Sequence, residues 1–268
     1  MIDDFAVLVV SCDAYVDVLN NFPAILKKYW HGFSQKCYFI LEENDFKTNC
    51  IDNYETIMTG KMQYWSERLV YALNSVKEKY ILFMLEDYYL GKEVQNMDFQ
   101  NIVDLLKQEA ISFYDLRNKP RTKGKRYNGH ACYIKNIRYG MSLQASIWEK
   151  DFLLDIIRNK QFSAWQVEEF FNSLCEKRKT ATIPNSLIDT RNLLNIQNGV
   201  IQGKWNPDTI KFFKDQNYYL DTSKRKVVPK KTMLKYKFIN ILYIILPNKL
   251  VTFIKKMAKR MGFKFVTK

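Results

Sequence analysis

The amino-acid sequence predicts an α/β fold followed by a basic, amphipathic helical tail. The centre of the prediction is Tyr80–Leu85, six apolar or aromatic residues that run straight into Glu86 and Asp87. A short apolar run of this kind is the pattern of a strand buried on both faces. The second observation is order. Two further apolar runs, Phe5–Val10 and residues 37–41, flank a helical pattern, which is the arrangement of a βαβ unit. The third is charge. The net charge is +14, and residues 223–268 hold 14 Lys and Arg with no Asp or Glu, so residues 1–222 are neutral.

With 268 residues, 47% of them hydrophobic, the chain can bury one real core and carry an appendage. We expect a body over residues 1–222 and a tail over 223–268. Five cysteines without CxxC spacing and only two histidines argue against zinc. The cysteines read as reduced residues of a cytosolic protein. Acidic residues near the N-terminus, where a signal peptide needs basic ones, argue against export. A neutral body with one basic end argues for docking rather than nucleic-acid binding.

Taken in order, Phe5–Val10 is a first strand, and Ser11, Cys12, Asp13 and Tyr15 lie in the loop that leaves it. Such a loop can contact a nucleotide. Residues 17–30 show helical spacing through Val18, Phe22, Ile25, Leu26 and Tyr29, with Pro23 interrupting or starting the helix. Residues 37–41 are a second strand, followed by Glu42, Glu43 and Asp45. Residues 65–79 form an amphipathic helix with Trp65, Leu69, Ala72, Leu73 and Val76 on its apolar stripe. Ser66, Glu67 and Arg68 fall off that stripe. The helix feeds Tyr80–Leu85 and leaves Glu86 and Asp87 at the carboxyl end of a central strand, the edge where open α/β sheets bind ligands. Two acids there serve either as an ordinary acidic turn or as oxygen ligands for a divalent cation on a diphosphate.

Residues 101–107 read as a helix and 110–114 as a strand. Residues 117–126 carry six basic residues with Pro120 and Gly124 and read as a loop. It is either a solvated charged loop or a clamp on phosphates, with Lys123 and Arg126 among its cations. Residues 139–148 contain a short strand with Gln144 and Trp148, and a helix follows with Phe152, Leu153, Ile156 and Ile157 on its apolar face. Ser163 and Gln166 have the spacing of a capping box, opening a helix that carries Trp165, Glu168 and Glu169. Residues 182–203 read as short strands and turns, and residues 201–205 as the last piece folding back over the body. In the tail, residues 238–246 are a largely apolar run, far short of the roughly 20 residues that span a bilayer. Residues 250–261 place Leu250, Phe253, Ile254 and Met257 opposite Lys255, Lys256, Lys259 and Arg260. This helix can lie on an anionic membrane surface or pack on a partner protein.

Four stretches, SCDAYVDVLNNFPAILKKYW, WSERLVYALNSVKEKYILFMLEDYYL, YGMSLQASIWEKDFL and SAWQVEEF, occur in that order. Together they resemble a family of bacterial glycosyltransferases of capsular polysaccharide and lipopolysaccharide assembly. The resemblance covers most of residues 6–210 and implies a GT-A-like nucleotide-sugar-binding fold with a mixed central sheet. It also implies a nucleotide-sugar donor and a glycan or lipid-linked glycan acceptor. On it, Ser11, Cys12, Asp13, Tyr15, Arg68, Glu86, Asp87, Lys123 and Arg126 are donor-side residues. Asp87 takes the place of the metal-binding carboxylate for Mn²⁺ or Mg²⁺, although Glu86-Asp87-Tyr88 is not a strict DxD. Glu168 resembles the acceptor-side base, with Glu169 in reserve, and Gln144, Trp148 and Trp165 resemble sugar or acceptor contacts. The expected location is the inner face of the cell membrane, reached through the tail. A catalytically inactive membrane-surface adaptor that keeps the fold is the competing reading. Nucleic-acid binding is a third, and the neutral body argues against it.

Overall fold

The computed structural model describes residues 1–117, 119–177 and 180–234. Its principal elements are β1 (Phe5–Val10), α1 (Phe22–Tyr29), β2 (Lys36–Leu41), β3 (Tyr54–Met58), α2 (Trp65–Ser75), β4 (Tyr80–Leu85), α3 (Asn96–Gln108), β5 (Phe113–Asp115), β6 (Lys123–Arg126), β7 (Ala131–Lys135), β8 (Ser146–Glu149), α4 (Lys150–Ile157), α5 (Ala164–Lys177), β9 (Thr182–Asp189) and α6 (Pro207–Asp215). The strands make one nine-stranded sheet in the order β3-β2-β1-β4-β8-β5-β9-β7-β6. β1 pairs in parallel with β2 and with β4, in register Val7↔Cys37 and Val7↔Leu82. β8 runs antiparallel to both its neighbours, β4 and β5. β7 is antiparallel to β9 and β6. The sheet is therefore mixed, as expected.

Both faces are covered. Alternate residues of β1 and β4 (Val7, Val9, Leu82, Met84) pack under α1, α3 and α6. The others (Ala6, Leu8, Ile81, Phe83) pack under α2, α4 and α5. This double burial is why the two strands read as unbroken apolar runs rather than as alternating ones.

Several boundaries differ from the sequence reading. The single helix expected over 17–30 is two, a short Val16–Leu19 and α1. Pro23 sits in the first turn of α1, where its missing N–H costs nothing. The buried Asn21 between them bonds both backbone groups of Asp221. α3 begins at Asn96 rather than 101, because Gln95 and Asp98 form a capping box. The expected loop 117–126 is instead a 3₁₀ turn, Pro120–Thr122, followed by edge strand β6. Gly124 permits that pairing, since a Cβ there would lie 2.8 Å from the Tyr133 carbonyl oxygen. β3 and β7 were not signalled, and 182–189 is one long strand. Residues 201–205 do fold back, as the hairpin Val200–Ile201/Lys204–Trp205, yet they are not the last piece. α6 follows, and then a strap in which Trp205 N–H donates to Lys226 O (2.9 Å) and Val228 N–H to Trp205 O (2.9 Å). The expected tail elements 238–246 and 250–261 lie outside the described residues. No helix among the described residues is long and apolar enough to cross a membrane.

Trp148 corrects another expectation. It is fully buried, with its ring 4.3 Å from Phe113 and 5.6 Å from Phe171 between centroids. Its indole N–H donates to Ser146 Oγ at 2.9 Å. No face is left for a sugar to stack on, so Trp148 is a core residue. Trp148→Ala should therefore cost about 3–5 kcal/mol of stability in urea unfolding. Full stability with lost sugar binding would be the opposite result and would restore the contact role.

Candidate functional site

All strands except β7 and β8 point the same way, so the ends of β1, β2, β3, β4, β5 and β9 share one edge. The polar residues of the sheet gather there. On the β1 side, the buried Arg68 of α2 brackets three strand ends. Its Nη2 donates to Ser11 O (2.8 Å), its Nε to Thr59 Oγ1 (3.0 Å) and its Nη1 to Glu42 Oε1 (3.4 Å). Arg68 and Ser66 lie off the apolar stripe of α2 but are buried all the same, each by polar partners. Ser66 Oγ donates to Lys160 O and accepts from Phe162 N–H.

Asp13 orders the neighbouring loop. Its carboxylate accepts the N–H groups of Glu42 (3.0 Å), Glu43 (3.1 Å) and Asn44 (3.3 Å). Desolvation opposes ionisation, but those N–H bonds and Arg68 prevail and hold Asp13 below the ordinary carboxylate value. Burial raises the Cys12 thiol, and the charges of Glu86 and Glu42 raise it further. The Tyr15 ring lies under the Arg225 guanidinium, 4.1 Å from centroid to Cζ. Arg225 also forms a two-pronged ion pair with Asp17 (2.7 and 2.8 Å) and donates to the carbonyls of Ala14 and Gly203.

Glu86 and Asp87 form the turn that leaves β4, and both keep part of their surface open to solvent. Asp87 Oδ2 accepts Val200 N–H (3.1 Å) and its carbonyl accepts Gly199 N–H (2.7 Å). A Cβ on Gly199 would come within 2.8 Å of the Tyr89 ring and 3.3 Å of Asp87 Cβ, so glycine allows this close approach. Neither carboxylate forms an ion pair among the described residues. Burial, then the charge of Asp87, pushes Glu86 up to about 8, despite Arg225 and Arg68 nearby. Burial pushes Asp87 up to about 6.

A second acid centre lies across β8. Asp115, sealed from solvent at the end of β5, pairs with Arg117 (3.0 Å) and Lys119 (2.8 Å). Arg117 and Lys119 both donate to Ser142 Oγ. Glu168 of α5 turns toward this cluster, and its Oε1 accepts Leu143 N–H at 2.6 Å. Burial raises the Glu168 pKa, while that N–H bond and Arg117 oppose the rise. Tyr88 joins the two centres. Burial raises its phenol, and Asp87, Arg117, Glu168 and Glu86 all act on it. The phenol is thus neutral and within electrostatic reach of both sets of acids.

The edge thus brings together Ser11, Cys12, Asp13, Tyr15, Arg68, Glu86, Asp87 and, across β8, Glu168. It does not bring Lys123 and Arg126. β6 is five strand spacings from β4, about 24 Å at ~4.8 Å each. Arg126 folds onto the carbonyls of Asn128 (2.9 Å) and Gly129 (3.4 Å) instead. Glu169 points to solvent, Trp165 is 39% exposed one turn before Glu168, and Gln144 is half-buried. Sequence reasoning missed Asp115, Tyr88 and Arg225. A signal existed for the first. Asp115-Leu116-Arg117 recurs as Asp189-Thr190-Arg191 at the end of the neighbouring strand, with the same aspartate-to-arginine clasp.

No family model and no curated protein matches the chain. Among solved structures, it aligns with S. aureus TarS 1-349 in complex with UDP, at a TM-score of 0.43 and 15% identity, over 70% of this chain and 58% of that one. The complex of TarS 1-349 with UDP-GlcNAc aligns at 0.39 and 14%, over 56% and 46%. The chain thus spans about half the length of these TarS chains. The 4-diphosphocytidyl-2C-methyl-D-erythritol synthase from Anaerococcus prevotii aligns at 0.40 and 8%, over 81% and 98%. These likenesses are loose.

The raised Glu86 has a consequence for stability. An acid whose folded pKa lies above its ordinary 4.5 binds its proton more tightly when folded, so stability falls as pH rises from about 4.5 to about 8. In chelator, Glu86→Gln should melt above wild type at about pH 9 and level with it at about pH 4. Equal midpoints at both pH values would mean that Glu86 is not buried as described.

Proposed function

We propose that this chain transfers a sugar from a nucleotide-sugar donor to a hydroxyl of a lipid-linked or growing surface glycan of capsule or lipopolysaccharide type. The observation that carries the reading is the pair of acid centres on one sheet edge, Glu86–Asp87 on one side of β8 and Glu168 on the other, with Tyr88 between. Two such centres suit a reaction that must stabilise a leaving diphosphate and accept a proton from the attacking hydroxyl.

Asp87 and Glu86 fit a hard cation: they offer carboxylate oxygens, have no cationic partner within ion-pair distance among the described residues, and are pushed up by burial. No group of three His, Cys, Asp or Glu converges among those residues, so the diphosphate itself would supply part of the shell. When bound, Mn²⁺ or Mg²⁺ neutralises charge on the leaving group. Asp87, with Glu86, would hold it. Glu168 takes the acceptor proton on the oxygen not engaged by Leu143 N–H. Its buried setting makes it more basic than a surface carboxylate. Ser11, Cys12, Asp13 and Tyr15 form the donor-side loop, fixed in shape by Arg68, and Gln144 and Trp165 are acceptor-side contacts. The absence of a strict DxD in Glu86-Asp87-Tyr88 favours a second reading, an inactive membrane-surface adaptor. Titration with UDP and GDP sugars, with and without Mn²⁺, separates the two, since an adaptor binds neither.

Asp87→Asn should abolish transfer with the fold intact, and activity within about threefold of wild type would remove the metal assignment. Glu168→Gln should lower kcat by roughly 10²-fold and leave donor affinity unchanged. It should also erase the acid limb of the kcat profile, which burial sets above the ordinary carboxylate range. If Glu169→Gln is the damaging change instead, the helix face is misassigned.

The basic tail is the membrane-attaching part of this reading. Because Arg225 and residues 226–228 pack on the body, the informative truncation removes 235–268 rather than everything from 224. Wild type should float with anionic vesicles at low salt and release at high salt, while the truncated chain stays down. Wild type that ignores anionic vesicles would make the tail a protein-docking element.

A further inference from the structure

Lys204, Lys224 and Lys226 line, with Arg225, an open cleft of about 540 Å³ whose lining also includes Asp17 and Gly203. Three distant segments make it: the turn after β1, the hairpin turn at Gln202–Gly203, and the strap after residue 223. Both turn residues have positive φ, +51° and +75°, which bends the hairpin sharply and brings Lys204 to the rim. The strap is pinned by its two backbone bonds to Trp205 and by Arg225. The lysines are thus carried on a fixed frame.

The charge of the cleft is unbalanced. Asp17, its acidic wall, is spent on Arg225, and the rest of that guanidinium is directed at the Ala14 and Gly203 carbonyls. The three lysines are exposed, and none forms an ion pair among the described residues. Three ammonium groups held around one cleft repel each other, and an anion bound between them relieves that repulsion. Ammonium is a compact point charge with three donors, which suits phosphate oxygens from several directions. Three positive charges favour a phosphate dianion or diphosphate over a single carboxylate. The cleft also adjoins the chemistry. Arg225 stacks on Tyr15 of the donor-side loop and acts on the charge of Glu86.

We propose that this cleft binds a phosphate group carried by the acceptor substrate, either a soluble phosphate ester or a lipid headgroup. The inference rests on the glycosyltransferase reading. There a cation that Asp87 and Glu86 would hold serves the donor diphosphate, which leaves the lysine cleft to the other substrate.

The test compares full-length wild type with the triple variant Lys204→Gln, Lys224→Gln, Lys226→Gln, in which Arg225 is untouched. Inorganic pyrophosphate is titrated at low salt in chelator, so that no cation recruits it to Asp87. Wild type should bind, and the variant should bind at least tenfold more weakly with an unchanged melting midpoint. Equal affinities, or no binding by wild type at millimolar pyrophosphate, overturn the proposal. UDP and GDP sugars are titrated in parallel with Mn²⁺. Donor affinity within twofold of wild type supports the acceptor assignment, and a tenfold loss overturns it by making the cleft a donor site. If wild type binds no nucleotide sugar, the glycosyltransferase reading fails while the pyrophosphate result still decides whether the cleft takes phosphate. Flotation with phosphatidate vesicles, scored relative to phosphatidylglycerol vesicles of matched surface charge that report the tail, separates the sources. A tenfold loss on both probes supports a lipid-borne phosphate, and loss on pyrophosphate alone supports a soluble one. Loss on vesicles alone overturns the site in favour of a membrane contact. Should the triple variant fail to fold, Lys204→Gln and Lys226→Gln are measured singly, each expected to weaken pyrophosphate about threefold and refuting the site if both are silent.

Discussion

The structure depends on the burial of β4 and β1 on both faces. A strand enclosed by helices above and below has no room for ionisable side chains, because an unpaired charge in that setting is too costly to retain. Every residue from Tyr80 to Met84 is buried, and so is every residue of β1. The polar groups are thereby displaced to the strand ends, and parallel pairing puts those ends on one edge. The location of the site is thus a consequence of the core.

Once there, the acids divide by partner. Asp17, Asp115 and Asp189 are each clasped by an arginine, and Asp13 by three backbone N–H groups. These carboxylates hold loops in shape. Glu86, Asp87 and Glu168 form no ion pair among the described residues, and burial raises all three, as it also raises the clasped Asp115. Removing one partner from a buried pair is expensive, whereas an acid outside an ion pair keeps an oxygen for a proton or a cation. The first group builds the frame that aims the second.

What the sequence made legible follows from the same physics. Doubly buried strands read as apolar runs, so β1, β2 and β4 were visible, with Glu86 and Asp87 at their edge. Ser163 and Gln166 announced α5 through a capping box that forms as expected, Ser163 N–H donating to Gln166 Oε1 at 2.8 Å. Edge strands carry no such run. In β3 only Ile57 is buried, and β6 is Lys-Gly-Lys-Arg, which reads as loop because solvent covers one side of it. Trp148 was misread because an aromatic near a site and an aromatic in the core look alike in one dimension. Arg225 was read with the tail because its charge matches the tail, while its partner Asp17 lies 208 residues away. Pairing at that distance leaves no local pattern.

The antiparallel β8 explains why the site has two halves. Inserted between the parallel strands β4 and β5, it reverses the chain, so its amino end rather than its carboxyl end reaches the functional edge. The segment leading into it, Ser142 to Ala145, therefore lies between the acids of β4 and those of β5. Ser142 takes up Arg117 and Lys119, and Leu143 N–H fixes Glu168. The same segment that separates the two carboxylate groups thus orients one of them. Parallel strands alone would set Glu86, Asp87 and Asp115 on adjacent strand ends, where like charges raise one another further. Separated by one strand, with the neutral phenol of Tyr88 in electrostatic reach of both, the two centres can hold different protonation states at one pH. A reaction that needs a charged anion-side site and a proton-accepting carboxylate together requires that separation.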